Sequence, residues 1–442
     1  MRNKFFEAIL FVLLFQACNN IPTNPDSGQS ILYEKLNAIE EFEVIEVQTQ
    51  DYFSEVFVLR IRQPLDHNNP GAGDFVQNIY LSHYSETAPV VFITNGYALI
   101  KNSVSELSYI LNANQILVAH RFFDGARPGN LDWQYLTVEQ AAADYHRIVT
   151  LLKEIYTGLW ISGGDGKGAI AALEHRRHYP DDIFVTISNS APFMNSTEDS
   201  RIENYILNEA GTEECRNGIW AFQRKCLQSR GELLSQLYDY RDSHNLHFSF
   251  GEGAVLEYAI ADYPICFWQK GNGPVDVPSE NITAIEMFEE LEDVVDFWNY
   301  TDESHYYYAG HYYQAFTQLG YYRYITDNIS DLFISLENPT YEIFGPPNID
   351  MVFDPTVIPD LLNWLTTEGN NTIYIYGGID PYSITAPDVS GQTNAIIITD
   401  PNCGYSPSIY TLPNTELFYS TLETWLGLTC NRIPHIESIQ AR

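Results

Sequence analysis

The chain has 442 residues, 45% of them hydrophobic and 14% aromatic, enough for a large core and too many for a globally disordered chain. A formal net charge of −35 repels phosphate backbones and anionic lipid surfaces, which argues against any nucleic-acid-binding role. The length fits two or three average domains, or one large α/β domain carrying an insertion.

The chain opens with "MRNKFFEAILFVLLFQAC", residues 1–18, which read as a targeting signal. Arg2 and Lys4 precede an apolar run from Ala8 to Phe15 that is too short to span a bilayer. A small residue directly before Cys18 is the pattern of a bacterial lipoprotein processing site, with Cys18 as the lipidated residue. Plain secretory cleavage fits the same residues. In either case export is expected, to the periplasm, the outer membrane or the medium. Residues 19–43 then read as a polar linker and N-terminal extension.

From 44 to 193 strand and helix signals alternate. "EVFVLRIRQPL" and "NIYLSHY" form an antiparallel start around the turn "DHNNPGAGD". "PVVFITNGY" and "NQILVAHRFF" are short apolar runs bounded by turn signals, as expected for strands buried on both faces. A helix follows, with Thr137 and Gln140 spaced as a capping box. Val138, Ala141, Tyr145, Ile148, Leu152 and Ile155 make one apolar stripe along it. "LWIS", a glycine-rich corner, a helix after Lys167, and "IFVTIS" continue a parallel-sheet pattern.

Residues 194–338 change character: polar helices, few strands and dense aromatics, as in "HYYYAGHYYQAF". They read as a helical insertion whose tyrosines pack on the core or line a peptide groove. Residues 339–430 resume the α/β pattern with "NTIYIYGGIDP", "NAIIITDPN" and the helix "TELFYSTLETWLGL", and 431–442 form a tail. Five cysteines remain after Cys18, with no C-x-x-C and no zinc spacing; Cys215 and Cys226, nearest in sequence, are the first candidates for a disulfide.

The corner "WISGGDGKGAIAALEHRRHYP" has the build of a nucleophile elbow: apolar strand, glycine turn, alanine-rich helix. Glycines two before and two after the apex, Gly164 and Gly168, place Gly166 at the tip, and glycine carries no nucleophile. In α/β-hydrolases the acid and then the histidine follow on loops after later strands. Asp380, after "IYIYGG", stands at the acid place. The loop after "NAIIITD" reads "PNCGYSPSI" and holds no histidine; beyond Asp380 the one histidine is His435, in the tail.

Several stretches together resemble the prolyl tri/tetrapeptidyl aminopeptidase family of serine peptidases, also called serine peptidase family thirty-seven. They include "RQPLDHNNPGAGDF", "LNANQILVAHRFFDGARP", "EIYTGLWISGGDGKGA", "LEYAIADYPICFWQ", "YYQAFTQLGYYRY" and "IYIYGGIDPYS". The resemblance implies an α/β-hydrolase core with an inserted helical cap, secretion, and removal of short peptides from free N-termini. It places the family's elbow serine on Gly166, its aspartate on Asp380 and its histidine on Tyr405. Two acidic positions expected near the substrate amine fall on Asn95 and Ala119.

A tyrosine of ordinary pKa is a poor general base at neutral pH, and loss of serine or histidine from a coupled triad removes nearly all of its contribution. The expectation is therefore a catalytically inactive relative that binds peptides or a partner protein at the cell envelope. The alternative is an active serine-type hydrolase with a non-standard nucleophile, for which Asp165 is the neighbour to consider. Glycine register and the position of Lys167 count against it, and a structural role in the turn is the simpler account. Ser162, on the strand side of the corner, would need a remodelled elbow. A third reading is a structural protein whose cleft is filled by side chains.

His120, His146, His175 and His178 read as core or surface histidines. His305 and His311 with Asp302 and Glu303 lack a trusted metal spacing, and "GGDGKGA" fails the phosphate-loop spacing. No cofactor and no metal are expected.

Overall fold

The computed structural model describes residues 29–49, 52–99, 101–389 and 391–432. The proposed signal with Cys18, and His435, lie outside them. In chain order the first elements are α1 (Ile31–Asn37), β1 (Phe42–Val47), β2 (Glu55–Pro64), β3 (Asp74–His83), β4 (Val90–Thr94), α2 (Glu106–Leu111) and β5 (Asn114–Val118). Then come α3 (Val138–Leu152), β6 (Trp160–Asp165), α4 (Lys167–His178) and β7 (Val185–Asn189). The helical stretch holds α5 (Ser200–Asn208), α6 (Glu213–Gln228), α7 (Arg230–His244), α8 (Glu252–Gln269), α9 (Ala284–Val295) and α10 (Asp302–Gln314). The chain returns through α11 (Val357–Thr367) to β8 (Thr372–Gly377), β9 (Ile396–Asp400) and α12 (Thr415–Leu426).

Nine strands form one sheet in the order β1-β2-β3-β5-β4-β6-β7-β8-β9. The pairs β1–β2, β2–β3 and β3–β5 are antiparallel, and every pair from β5 through β9 is parallel. The period-2 geometry of a strand sends alternate side chains to opposite faces. On β4, Val90 and Phe92 join one core with α1 and α3, whereas Val91 joins a second core with α2 and α12. On β8, Ile373 and Ile375 enter that second core, and Tyr374 and Tyr376 face α4 and α11. This is the α/β-hydrolase architecture with a helical cap inserted between β7 and β8.

The cap has its own core, centred on α8, which the remaining cap helices surround. One buried carboxylate staples it. Glu257 on α8 pairs with Arg230 and accepts the backbone N–H groups of Ile334 (2.7 Å), Ser335 (3.0 Å) and Leu336 (2.7 Å), fixing the chain that leads out of the cap. Among the described residues no helix is long and apolar enough to cross a membrane.

Two local expectations need correction. Thr137 does cap α3 by accepting the Gln140 N–H (3.2 Å), but the Gln140 side chain does not complete a capping box. It turns to the β2–β3 loop, accepting from His67 N (2.8 Å) and donating to Asp66 (2.9 Å). Cys215 and Cys226 share α6, where eleven residues of helical rise separate them by roughly 16 Å, far beyond disulfide reach. All five described cysteines are free.

Candidate active site

The corner between β6 and α4 is set by close backbone approach. A Cβ on Gly164 would stand 2.5 Å from the Gly168 carbonyl carbon, and one on Gly96 would stand 2.6 Å from Gly168 N. Thr94 Oγ1 ties the turn down by donating to Gly168 O (2.7 Å). At the tip Gly166 has φ 51° and ψ −116°, a conformation that strains any residue with a Cβ and that glycine adopts freely.

The space in front of that tip is taken. A Cβ built on Gly166 would lie 3.2 Å from Cζ and 3.4 Å from Cε2 of Tyr405, and closer still to its hydroxyl oxygen, inside van der Waals contact. Although 39% of Tyr405 is solvent-accessible, its hydroxyl end points inward onto the corner. Burial, then the charges of Asp165 and Asp380 and the neighbouring Tyr382, push its pKa up, away from phenolate formation.

Tyr405 is delivered by the loop after β9, which is gripped on three sides. Its N–H donates to Gln269 O at the end of α8 (2.7 Å). Ser406, held at φ 55°, donates its N–H to Ser190 Oγ (3.0 Å) and its hydroxyl to Asp165 Oδ1 (2.7 Å). Asp165 Oδ1 also accepts from Asn189 Nδ2 (2.9 Å), so this carboxylate is engaged in binding the loop to the corner.

Asp380, fully buried after β8, accepts the Tyr382 N–H on Oδ1 (3.0 Å); Oδ2 has no hydrogen-bond partner among the described residues. Burial raises its pKa to about 7, with Tyr382 N–H and the nearby Ser190 and Gln269 side chains holding it from rising further. The ring of Tyr382 lies edge-on to that of Tyr405, centroids 6.1 Å apart. Gly166, Asp380 and Tyr405 thus converge on one place.

The two altered acidic positions do not join that cluster through their side chains. Asn95 lies on the loop after β4, its carbonyl beside Gly168, with Nδ2 turned to Ala98 O. Ala119, just beyond β5, is fully buried in a separate apolar group with Phe122, Trp133, Leu136 and Ala309 of the cap.

Behind the corner, Lys167 is buried and pairs with no carboxylate among the described residues. Its Nζ donates to Gly96 O (2.6 Å) and sits over the rings of Phe123 (4.9 Å) and Tyr97 (5.4 Å). Desolvation holds its pKa well below the usual lysine value. His311 of the cap pairs with the Tyr97 hydroxyl (3.4 Å), and burial plus the Lys167 charge bring its pKa down to about 3, so it stands as neutral imidazole. Asp302 is bound to Ser249 and Glu303 to His247, so neither converges on His311. Among the described residues no group of three or more His, Cys, Asp or Glu side chains is arranged to hold a metal ion.

His175 and His146 share Asp182 (3.0 and 2.7 Å) and His178 faces Glu174, structural pairings away from the corner, whereas His120 bonds Arg121 O (3.0 Å) and packs on Phe123 beside Lys167. Gln269, Ser190, Tyr382 and Tyr97 carry no sequence signal of their own. Nothing in their spacing marks them, because tertiary packing alone brings them to the cluster.

The sheet order, the tight glycine corner and the acid after β8 define an α/β-hydrolase with a cap. The family model described as PS-10 peptidase S37 matches residues 29–429. A prolyl tri/tetrapeptidyl aminopeptidase of Streptomyces mobaraensis is 32% identical over 334 residues, covering 74% of this chain and 69% of that protein. The chain belongs to the S37 peptidase family. Among solved structures, it is similar to a proline iminopeptidase of Mycobacterium smegmatis (12% identity, 83% of this chain and 97% of that one, TM-score 0.36). It is similar also to acetyl xylan esterase 1 of Thermoanaerobacterium sp. (12% identity, 94% and 98%, TM-score 0.35). Both are too distant to bear on chemistry.

Proposed function

We propose that this protein is a non-hydrolytic member of the S37 family, exported and held at the cell envelope through Cys18, that binds peptides or a partner protein instead of cleaving them. The observation that carries the reading is Tyr405 filling the space in which a side chain at Gly166 would have to stand. A glycine supplies no attacking oxygen. The phenol in its place has a pKa pushed up rather than down, and among the described residues no imidazole bonds the acid at Asp380. The aminopeptidase named among the relatives supports peptides as the ligand class.

Asp165 gives little support to a hydrolase with a different nucleophile, since its Oδ1 already accepts two hydrogen bonds that fasten the Tyr405 loop. The test uses the purified mature chain, a fluorophosphonate probe and proline-containing tripeptide p-nitroanilides. No labelling and no release above a heat-inactivated control are expected. Labelling that depends on Asp380 would overturn the reading. The envelope assignment is tested by metabolic labelling with a palmitate analogue, expected in the wild type and lost in Cys18→Ala.

A further inference from the structure

The Tyr405 loop is held as much by the cap as by the core. Gly404 is wedged between them: a Cβ there would collide with Gln269 O and stand 2.5 Å from Gly271 N. Both belong to the last turn of α8 and the residues just after it. From the other side, Gly377 and Gly404 are packed so closely that a Cβ on Gly377 would run into the Gly404 and Cys403 carbonyls. Ile379 N–H donates to Cys403 O (3.1 Å). The Tyr405 N–H then closes the contact by donating to Gln269 O (2.7 Å). The Gln269 side chain approaches Asp380 and Tyr382, close enough to lower both pKa values against burial.

One cap residue therefore holds the plug by its main chain and reaches the acid and its neighbouring ring by its side chain. Three glycines in the contact leave no slack for the loop to slide while α8 stays still.

We propose that the cap, through the last turn of α8, holds Tyr405 in the corner, so that the tip at Gly166 opens only when this turn moves off the core. The proposal rests on reading Tyr405 as the occupant of the catalytic tip. It makes Gln269 a positioning residue and access to the corner a property of how the cap is seated. A ligand that reaches Gly166 must displace the α8 turn, not merely rotate one side chain.

The test is residue-resolved hydrogen exchange on the full mature chain. It compares the amides of Tyr405, Lys270 and Gly271, with the amide of Ser190, bound to Ile375 O (2.8 Å), as a core reference. In the wild type the first three are expected to exchange within tenfold of one another. Gln269→Ala keeps the main-chain bond to Tyr405 but removes the side chain's hold on Asp380 and Tyr382, and should accelerate all three together while Ser190 is unchanged. Gly404→Ala, which forces the loop and the turn apart, should do the same, and Gln269→Ala carries the test if that variant does not fold. Acceleration of Tyr405 alone, of the α8 turn alone, or of neither would overturn the coupling. Because turnover is not the readout, such a result leaves the non-hydrolytic reading standing, and probe labelling would sink that reading without touching this one.

Discussion

Replacing Asp380 by Asn should change how stability depends on pH, and the size of the change follows from the site. Burial raises the carboxyl from its ordinary value of 3.8 to about 7. The folded chain thus binds a proton there that the unfolded chain has released. The stabilisation is fully present below pH ~4 and is lost as pH rises through about 7. Three pKa units correspond to about 4 kcal/mol, of which about 3 kcal/mol is lost between pH 5 and pH 8.5. At an unfolding entropy of about 2.1 cal/mol/K per residue, that is about 3 °C of Tm for a chain of this length.

The groups that face Asp380, namely Tyr376, Tyr382, Tyr405, Tyr205 and Cys403, all have pKa values raised above their ordinary ones and stay neutral across this window. Asp262 in the cap, raised to about 6, and Glu174 in α4, raised to about 7, titrate identically in both proteins and cancel in the difference. In Asp380→Asn the amide adds unpartnered N–H groups at a pH-independent cost of about 1–3 kcal/mol. The assay is therefore Tm of the variant minus Tm of the wild type, by calorimetry from pH 5 to 8.5, expected to climb by about 3 °C. A difference flat to within 1 °C would mean that Asp380 is ionised throughout and paired, and the account of the site would be wrong.

Gly166→Ala should lower stability by about 2–4 kcal/mol in urea denaturation, through collision with Tyr405 and strain at positive φ. In a Tyr405→Ala background the collision part should vanish, leaving a coupling of at least about 1 kcal/mol in the double-mutant cycle. Gly166→Ser with Tyr405→His should gain p-nitrophenyl acetate hydrolysis and fluorophosphonate labelling, both lost on adding Asp380→Asn; neither single change should suffice. Glu257→Ala should cost about 3–5 kcal/mol, since it leaves Arg230 and three backbone N–H groups unpaired, and limited proteolysis should then cut near 334–336.

Much of the frame was legible because it rests on local patterns. The β4 and β5 runs, the α3 stripe, the glycine corner and the acid after β8 each announce themselves within a dozen residues. The short helix α1 lies in a stretch whose sequence reads as polar linker and extension, because only Leu32 and Leu36 of its seven residues are buried. Gln140 left its capping box because a buried loop offered it Asp66 and His67, a competition that spacing does not show. At the site, sequence gave the identities at 166, 380 and 405. It could not show the phenol lying over the glycine, or Gln269 gripping the loop, because both depend on where an inserted cap docks.

The fit of Tyr405 over Gly166 also sets the order in which a triad could be rebuilt at this corner. A serine arriving alone at 166 meets a ring already in its seat, and a histidine arriving alone at 405 finds no hydroxyl to deprotonate. On the non-hydrolytic reading both a hydroxyl and an imidazole would have to be restored, and the phenol at 405 would have to leave before a side chain could stand at 166.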